Sequence, residues 1–259
     1  MKLVSFNIWG ATIYGPLVEY LGQLSASTDI FCFQEVFSAL PGAPKESSGS
    51  RMFLFDELKT LLPGFVGFFQ PRSTGYDFEQ VANPLVSHGI AVFVRKDFKV
   101  LNYRAEILEQ SENPDYPVEG WTMAQVITLE KGNKNFSVIN FHGVALPGNK
   151  QDTPQRISQM SKLKLVWQGI PEAAKILCGD FNLYPETQSV KILESVSRNL
   201  IKEFNIKNTR NEVSWKKHPD SKQAFADFTF VSEEVKVNSF EVPYNEVSDH
   251  LPMILEFNL

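Results

Sequence analysis

The chain has little of what marks several large classes of protein. It carries two cysteines in 259 residues, too few for a disulfide framework. Cys32 (Ile30-Phe31-Cys32-Phe33) and Cys178 (Ile176-Leu177-Cys178) sit inside apolar runs and read as small core residues. No apolar run approaches the ~18 residues needed to cross a bilayer. The N-terminal Met1-Lys2-Leu3-Val4-Ser5-Phe6 is too short and polar for a signal-peptide core and reads as a strand. Both absences point to a cytoplasmic protein. Positive charge is not in excess: the net charge is −5, which argues against tight non-specific binding to nucleic acid. It does not argue against cleavage, because a metal ion can supply positive charge locally. Long low-complexity segments, internal repeats and a dividing linker are also lacking, so one domain over residues 1–259, acting as a monomer, is expected.

What is there is a series of strand-like runs broken by a few helix patterns. Residues 2–8 and 30–33 read as the first two strands. Between them lies a helix with Pro16 near its start and Leu17, Val18, Leu21 and Leu24 on one face. A second helix is expected over 52–62, followed by strands at 88–95, 99–107, 123–129 and 136–142. Thr153-Pro154 has the cap and first-turn chemistry of a third helix, whose apolar face would be Ile157, Met160, Leu163 and Trp167. A strand at 175–178, a helix near 187–196 and strands at 227–231, 235–242 and 253–257 complete the pattern. Many strands and few helices, in two similar halves, predict two packed sheets with helices outside. A doubly wound parallel sheet would need more regular alternation. The Pro-, Gly- and polar-rich stretches 38–50, 71–87, 110–120, 144–152 and 211–224 read as long loops, which commonly carry function.

Several strands end in a polar or titratable residue. Phe33 runs into Gln34-Glu35, Phe141 into His142-Gly143, and Cys178 into Gly179-Asp180-Phe181-Asn182; Ser248-Asp249-His250 precedes Leu251-Pro252-Met253-Ile254. Packed strands can bring such ends to one rim, where ligands collect in layered sheets. Asn7, inside the first strand, reaches the same rim if its side chain faces the cleft. Each feature alone is ordinary. Gly-Asp is turn chemistry, a glutamate after a strand is usually solvated, and one buried hydrogen bond would explain an asparagine in a strand.

Their order is what carries information. Ser5-Phe6-Asn7, Phe33-Gln34-Glu35-Val36, Asn140-Phe141-His142, Gly179-Asp180-Phe181-Asn182, Asp227-Phe228 and Ser248-Asp249-His250-Leu251-Pro252 together resemble the endonuclease/exonuclease/phosphatase (DNase I-like) superfamily. That superfamily includes DNase I, abasic-site endonucleases, deadenylases, sphingomyelinases and inositol polyphosphate 5-phosphatases. The resemblance spans Asn7 to His250. It implies an α+β fold, a four-layer α/β/β/α sandwich of two mainly antiparallel sheets flanked by helices. It also implies hydrolysis of phosphate esters with Mg²⁺, or Mn²⁺ in its place, by in-line attack of water on phosphorus. Glu35 would be the main carboxylate ligand with Asn7 beside it, and Asp249 a further or second-metal ligand, all hard oxygen donors of the kind Mg²⁺ prefers. Asp180 would orient or deprotonate the water, and Asn182 would hold it or a phosphate oxygen. His250 stands where a phosphate-binding or acid–base histidine is expected, with Asp227 fixing its tautomer. His142 matches the other active-site histidine of the DNase I and sphingomyelinase branches. Arg156 follows the histidine strand at a distance where relatives place an arginine, and would tie down a site carboxylate or a substrate phosphate.

Two departures bear on the substrate. Relatives commonly have a basic residue just before the third acid, whereas Phe225-Ala226-Asp227 has none, which weakens the case for nucleic acid. His88 falls where several relatives carry an acidic or aromatic residue near the cleft, so it either contacts substrate or caps a strand. The basic residues Arg198, Lys202, Lys207, Arg210, Lys216, Lys217 and Lys222 are a solvated face unless they border the cleft with Trp215, where they would follow a phosphodiester backbone. Phe65, Phe68, Phe69, Tyr76 and Phe78 belong to core and loop packing unless they form an apolar lip for a lipid or small organic phosphate. The leading expectation is a nuclease acting on DNA or RNA. The alternative is a phosphatase or phosphodiesterase acting on a lipid, sugar phosphate or nucleotide, and the third reading is a binding protein without catalysis.

Overall fold

The first two strand segments are apolar at consecutive positions, a pattern that requires cover on both faces. In the computed structural model, which describes residues 1–76, 82–111, 120–216 and 222–259, a second sheet covers one face and helices cover the other. In chain order the elements are β1 (Lys2–Asn7), α1 (Tyr14–Ser25), β2 (Ile30–Ala39), β3 (Glu46–Ser47), β4 (Ser50–Arg51), α2 (Leu54–Leu61), β5 (Phe65–Tyr76), β6 (Ala82–Arg95), β7 (Lys99–Ser111), β8 (Gly120–Lys131), β9 (Lys134–His142), α3 (Pro154–Gly169), β10 (Ala174–Asp180), α4 (Gln188–Glu194), β11 (Arg198–Asn199), α5 (Leu200–Glu203), β12 (Asp227–Val231), β13 (Lys236–Glu241) and β14 (Met253–Asn258).

The strands pair as β13-β14-β1-β2-β6-β5 in one half and β7-β8-β9-β10-β12-β11 in the other, and the halves touch through one pairing, Ser73 with Gly120. This is the α/β/β/α sandwich of two mainly antiparallel sheets. Leu3, Cys32, Val92, Ile139, Ile176 and Cys178 belong to the core between the sheets. The alternate residues Val4, Phe31 and Phe33 pack outward with Leu17, Leu21 and Leu58 from α1 and α2. Period-two alternation therefore splits one apolar run between two cores.

Two pairs break the antiparallel pattern, and they position the site. β1–β2 and β9–β10 are parallel, each joined by a helix, as a parallel connection requires. Parallel strands end on the same side, so Asn7 lies opposite Gln34 and Asp180 opposite His142. Asp180 also pairs with Asp227 at the start of β12. Gly179 makes the approach possible: its φ is +141°, and a Cβ there would stand 1.9 Å from the Phe141 carbonyl oxygen. Only glycine fits.

Some expectations change. The apolar segment from Phe65 forms a strand, β5, and the expected 71–87 loop is largely consumed by β5 and β6, with 77–81 outside the described residues. The expected 38–50 loop contains the end of β2 and the β3–β4 hairpin. Residues 112–119 and 217–221, within two other expected loops, also lie outside the described residues; Phe78 and Lys217 fall in such segments. Thr153 caps α3 through its side chain, with Pro154 in the first turn. Ile157 is exposed, however, and the buried stripe is Arg156, Gln159, Met160, Leu163 and Trp167. The helix turns two polar residues inward because both have partners there, as described below. Among the described residues no helix is long and apolar enough to cross a membrane.

Candidate active site

One carboxylate oxygen lies at the centre of the polar residues gathered at the strand ends. Asp180 Oδ2 accepts a hydrogen bond from Asn7 Nδ2 at 3.0 Å and lies 3.6 Å from His142 Nε2 and 3.7 Å from His250 Nε2. Its Oδ1 accepts the Asn182 backbone N–H at 2.8 Å. Burial alone would push this carboxyl up, but the charges of His250, Lys150 and Arg210 outweigh burial and hold it below the usual carboxylate range. Asp180 is therefore a charged acceptor at neutral pH, suited to orient a water.

Asn7 links this carboxylate to the next. Its amide nitrogen also donates to Glu35 Oε1 at 3.0 Å, and its oxygen accepts the Trp9 backbone N–H at 3.0 Å. Glu35 sits at a bulge between Gln34 and Val36 with φ +58°. The bulge re-aims it out of the strand's alternation, while Gln34 turns inward to Asn140. Burial, then the nearby Asp249 carboxylate, raise the Glu35 carboxyl to about 7, with a smaller push from Asp180. Crowded carboxylates of this kind call for a cation. Ligand atoms of Glu35, His142 and Asp180 lie within 4.8 Å of one another, and the two carboxylates offer the hard oxygens of a divalent-cation site; Asp249 is close enough to raise Glu35 but lies outside that group and pairs with Arg210. Asn7 turns its amide nitrogen, not its oxygen, toward those carboxylates, so it orients the set. Its oxygen is engaged elsewhere.

The two histidines are held in opposite charge states. His250 Nδ1 bonds both Asp227 oxygens, at 3.0 and 2.8 Å. Burial would lower its pKa, but Asp227 and then Asp249 raise it to about 9, so His250 is a cation with Nε2 directed at Asp180. Burial, then Arg72, hold His142 well below its ordinary value, so it is neutral. Its Nδ1 has no hydrogen-bond partner among the described residues. His88 lies on β6 with its ring 4.9 Å from Phe37 and 6.4 Å from His142. It packs behind His142, and burial first, then Arg72, lower its pKa to about 3.

Arg156 is directed into the 144–151 loop. It donates to the carbonyls of Gln151 and Pro147, each at 2.6 Å, and of Ala145 at 3.0 Å. It thus holds the loop's backbone and touches no site carboxylate. Gln159 completes the arrangement by accepting from Val144 N and donating to Thr122 Oγ1. The loop it shapes delivers a residue that sequence reasoning missed. Lys150, buried and with φ +56°, donates to Asn182 Oδ1 at 2.5 Å. Arg210 was read as one of a surface run. It instead turns inward, donating to Asp249 Oδ2 at 2.5 Å and to Gln223 Oε1 at 3.0 Å, and its backbone bridges to His250. It supplies the cation that the sequence before Asp227 lacks. Its only sequence signal is the neighbouring Thr209-Arg210-Asn211, whose flanking polar side chains are both buried.

Three other basic residues of that run are paired with nearby acids. Arg198 pairs with Glu203, Lys202 with Glu194 and Lys216 with Glu246. Glu35, His142, Asp180, Asn182, Asp249 and His250 line a cleft of about 460 Å³, together with Lys150, Arg210, Gln223 and, on another wall, Trp9, Thr12, Ser48 and Ser50. Water bound beside Asp180, with a phosphate against His250 Nε2–H and the Lys150 ammonium, is the chemistry such a wall can support.

The family model described as the endonuclease/exonuclease/phosphatase family matches residues 4–250. A search of curated proteins finds no match. Among solved structures, the chain is similar to an endonuclease/exonuclease/phosphatase from Bacteroides vulgatus, with TM-score 0.71 and 19% identity over 100% of this chain and 98% of that one. It is similar to a mannosyl-6-phosphatase from Bacteroides thetaiotaomicron, with TM-score 0.67 and 20% identity over 100% of both chains. It is also similar to the human Nocturnin catalytic domain with bound sulfate, with TM-score 0.69 and 21% identity over 100% of this chain and 93% of that one. At these identities the structural likeness is one of fold.

Proposed function

The chain belongs to the endonuclease/exonuclease/phosphatase family, whose members hydrolyse phosphoester bonds, and from that premise we propose that it is a divalent-metal-dependent hydrolase of small phosphate esters. The observation that carries the choice of substrate is the placement of positive charge. Among the described residues, Lys150 and Arg210 are the Lys and Arg side chains on the cleft wall, while Arg198, Lys202 and Lys216 are paired with nearby acids. That distribution suits one phosphate held in a pocket better than an extended backbone, whose binding needs a track of cations.

In this reading Asp180 orients a water in line with the leaving group and takes up its proton as the new O–P bond forms. The P–O bond to the leaving group breaks, the proton taken up by Asp180 returns through solvent to the leaving oxygen, and the products are phosphate and R–OH. His250 Nε2–H and Lys150 neutralise charge on the phosphate oxygens, and Asp227 keeps His250 protonated. Glu35 and Asp180 would hold a Mg²⁺ or Mn²⁺ ion, which when bound lowers the cost of charge at phosphorus and on the leaving oxygen.

A polynucleotide is the second reading. It is favoured by Lys222 stacked 5.2 Å from the Trp215 ring centroid, next in sequence to the cleft residue Gln223, because aromatic–cation platforms stack bases. The test is phosphate release from sugar phosphates, nucleotides, aryl phosphates and phospholipids, and cleavage of labelled oligonucleotides, with Mg²⁺, Mn²⁺ or EDTA. Release from small esters that stops with EDTA and in Asp180→Ala is expected. Cleavage of oligonucleotides alone would move the assignment to the second reading, and turnover insensitive to EDTA would remove the metal.

A further inference from the structure

The wall of the cleft formed by Trp9, Thr12, Ser48 and Ser50 plays no part in the chemistry above, yet it is built with care. Trp9, Gly10 and Ala11 have φ of +49°, +56° and +57°. A bulky residue rarely adopts this conformation, and such strain costs on the order of 1–3 kcal/mol per residue and collects at ligand sites. Two contacts hold Trp9 there. Its N–H donates to Asn7 Oδ1 at 3.0 Å, and its carbonyl accepts Thr12 Oγ1–H at 2.8 Å. The indole, partly exposed, is thereby registered to the same asparagine that orients Glu35 and Asp180.

The serine hydroxyls of this wall come from the β3–β4 hairpin. Ser48 and Gly49 have φ of +51° and +81°, as a two-residue hairpin turn requires, and the turn packs toward the Thr12 methyl. Arg51 anchors the hairpin. It bonds Glu57 through Nε and Nη2 at 2.6 and 2.7 Å and Glu46 at 2.6 Å, and lies 4.1 Å from the Tyr14 ring centroid. Ser50, only 1% exposed, has a buried hydroxyl with no hydrogen-bond partner among the described residues. Leaving such a group unpaired costs about 1–3 kcal/mol, and Ser50 is one of the residues that line the cleft.

We propose that this wall is a leaving-group subsite for a sugar, with the ring's C–H face on the Trp9 indole and its hydroxyls on Ser48, Ser50 and Thr12. An aromatic face beside neutral hydroxyls is complementary to a polyhydroxylated ring, apolar on its faces and polar at its edge. None of the four residues is charged, so a second phosphate has no counter-charge here, and an acyl chain would bury the hydroxyls unpaired. The subsite rests on the phosphoester-hydrolase reading and deepens it by naming the group that departs.

The test compares glucose 6-phosphate with phenyl phosphate, in wild type and Ser50→Ala with Mg²⁺. Wild type is expected to prefer glucose 6-phosphate in kcat/KM. In Ser50→Ala the ratio of the two kcat/KM values should fall about five- to tenfold, mostly through KM. The hydroxyl lost has no partner, so urea denaturation should show no destabilisation. No preference in wild type, or an unchanged ratio in the variant, would overturn the subsite. If neither ester is hydrolysed, the small-ester reading fails and the subsite is judged on binding alone. Calorimetric titration with glucose 6-phosphate then supports it if affinity drops about five- to tenfold in Ser50→Ala, and refutes it if affinity is equal or absent.

Discussion

Replacing Asp227 by Asn isolates the interaction that keeps His250 charged. The substitution preserves size and leaves a hydrogen-bond acceptor opposite Nδ1, but it removes the charge that, more than any other, raises His250 to about 9 from an ordinary 6.5. Burial, the largest influence on this imidazole, then works almost unopposed, leaving mainly Asp249 to raise it. The pKa should fall by about two units or more, because a desolvated imidazole favours its neutral form. The difference between about 9 and 6.5 corresponds to about 3 kcal/mol of preference for the protonated state. A folded-state pKa raised above the unfolded one stabilises fully below the unfolded value and is lost as pH rises through the folded one. The stability gap between wild type and Asp227→Asn should therefore be widest near pH 6 and close by about pH 9.5. Imidazole proton resonances can be followed directly, since the chain has four histidines. An NMR titration of metal-free protein, paired with urea denaturation at the two pH values, measures both effects, and kcat should drop by about 10²- to 10³-fold. The reasoning is refuted if His250 titrates at the wild-type pH in the variant, or if the stability gap is as large at pH 9.5 as at pH 6.

Glu35→Gln should weaken Mg²⁺ or Mn²⁺ binding by about tenfold or more in calorimetry, and wild-type affinity should rise with pH through about 7, with proton release, because the raised Glu35 carboxyl must ionise to bind a cation. An affinity flat from pH 6 to 8 would remove Glu35 from the metal site. Arg156→Met should cost about 1–3 kcal/mol in urea denaturation, since it removes three hydrogen bonds from a buried guanidinium to the carbonyls of Ala145, Pro147 and Gln151 in an otherwise exposed loop; a loss within about 0.5 kcal/mol would show that the loop holds its own shape. Gly179→Ala should not yield folded protein, because the added Cβ would overlap the Phe141 carbonyl; a cooperative thermal transition near that of wild type would contradict the strand spacing.

Strands that obey period-two alternation, or that are buried on both faces, could be read from the chain, and so could caps such as Thr153. β5 could not. Its run Phe65-Val66-Gly67-Phe68-Phe69-Gln70-Pro71 is broken by Gly67 and Pro71, both breakers. The structure accommodates them with close packing and a bulge: Gly67 lies under the Phe93 ring, and Pro71 stands where the register with β6 shifts. The inward face of α3 was misjudged for a related reason. Periodicity finds a stripe, but whether Arg156 or Ile157 belongs in it depends on carbonyls from residues 145–151, which no local pattern shows. In the site, residues at strand ends were legible because strand polarity alone delivers them to one rim. Lys150 and Arg210 arrive on loops, and their burial is decided by Asn182, Asp249 and Gln223, distant in sequence.

Those two cations change the electrostatic account of the site. Above about pH 7, where Glu35 is ionised, Glu35, Asp180, Asp227 and Asp249 carry negative charge. Lys150, Arg210, protonated His250 and Arg72, which acts on both Asp180 and Glu35, carry as much positive charge. The buried set is formally neutral, so a phosphate monoester dianion arrives with two charges uncompensated in a low-dielectric cleft, an arrangement that is costly. One divalent cation cancels them. The cation and the phosphate should therefore bind cooperatively, each strengthening the other by the same factor, as linkage demands. Calorimetric Mg²⁺ titration with and without saturating inorganic phosphate measures that factor. About tenfold or more is expected, a coupling of roughly 1.4 kcal/mol. If phosphate leaves Mg²⁺ affinity unchanged, the neutral-site account fails, and the excess charge of the substrate must be met by groups beyond the cleft wall.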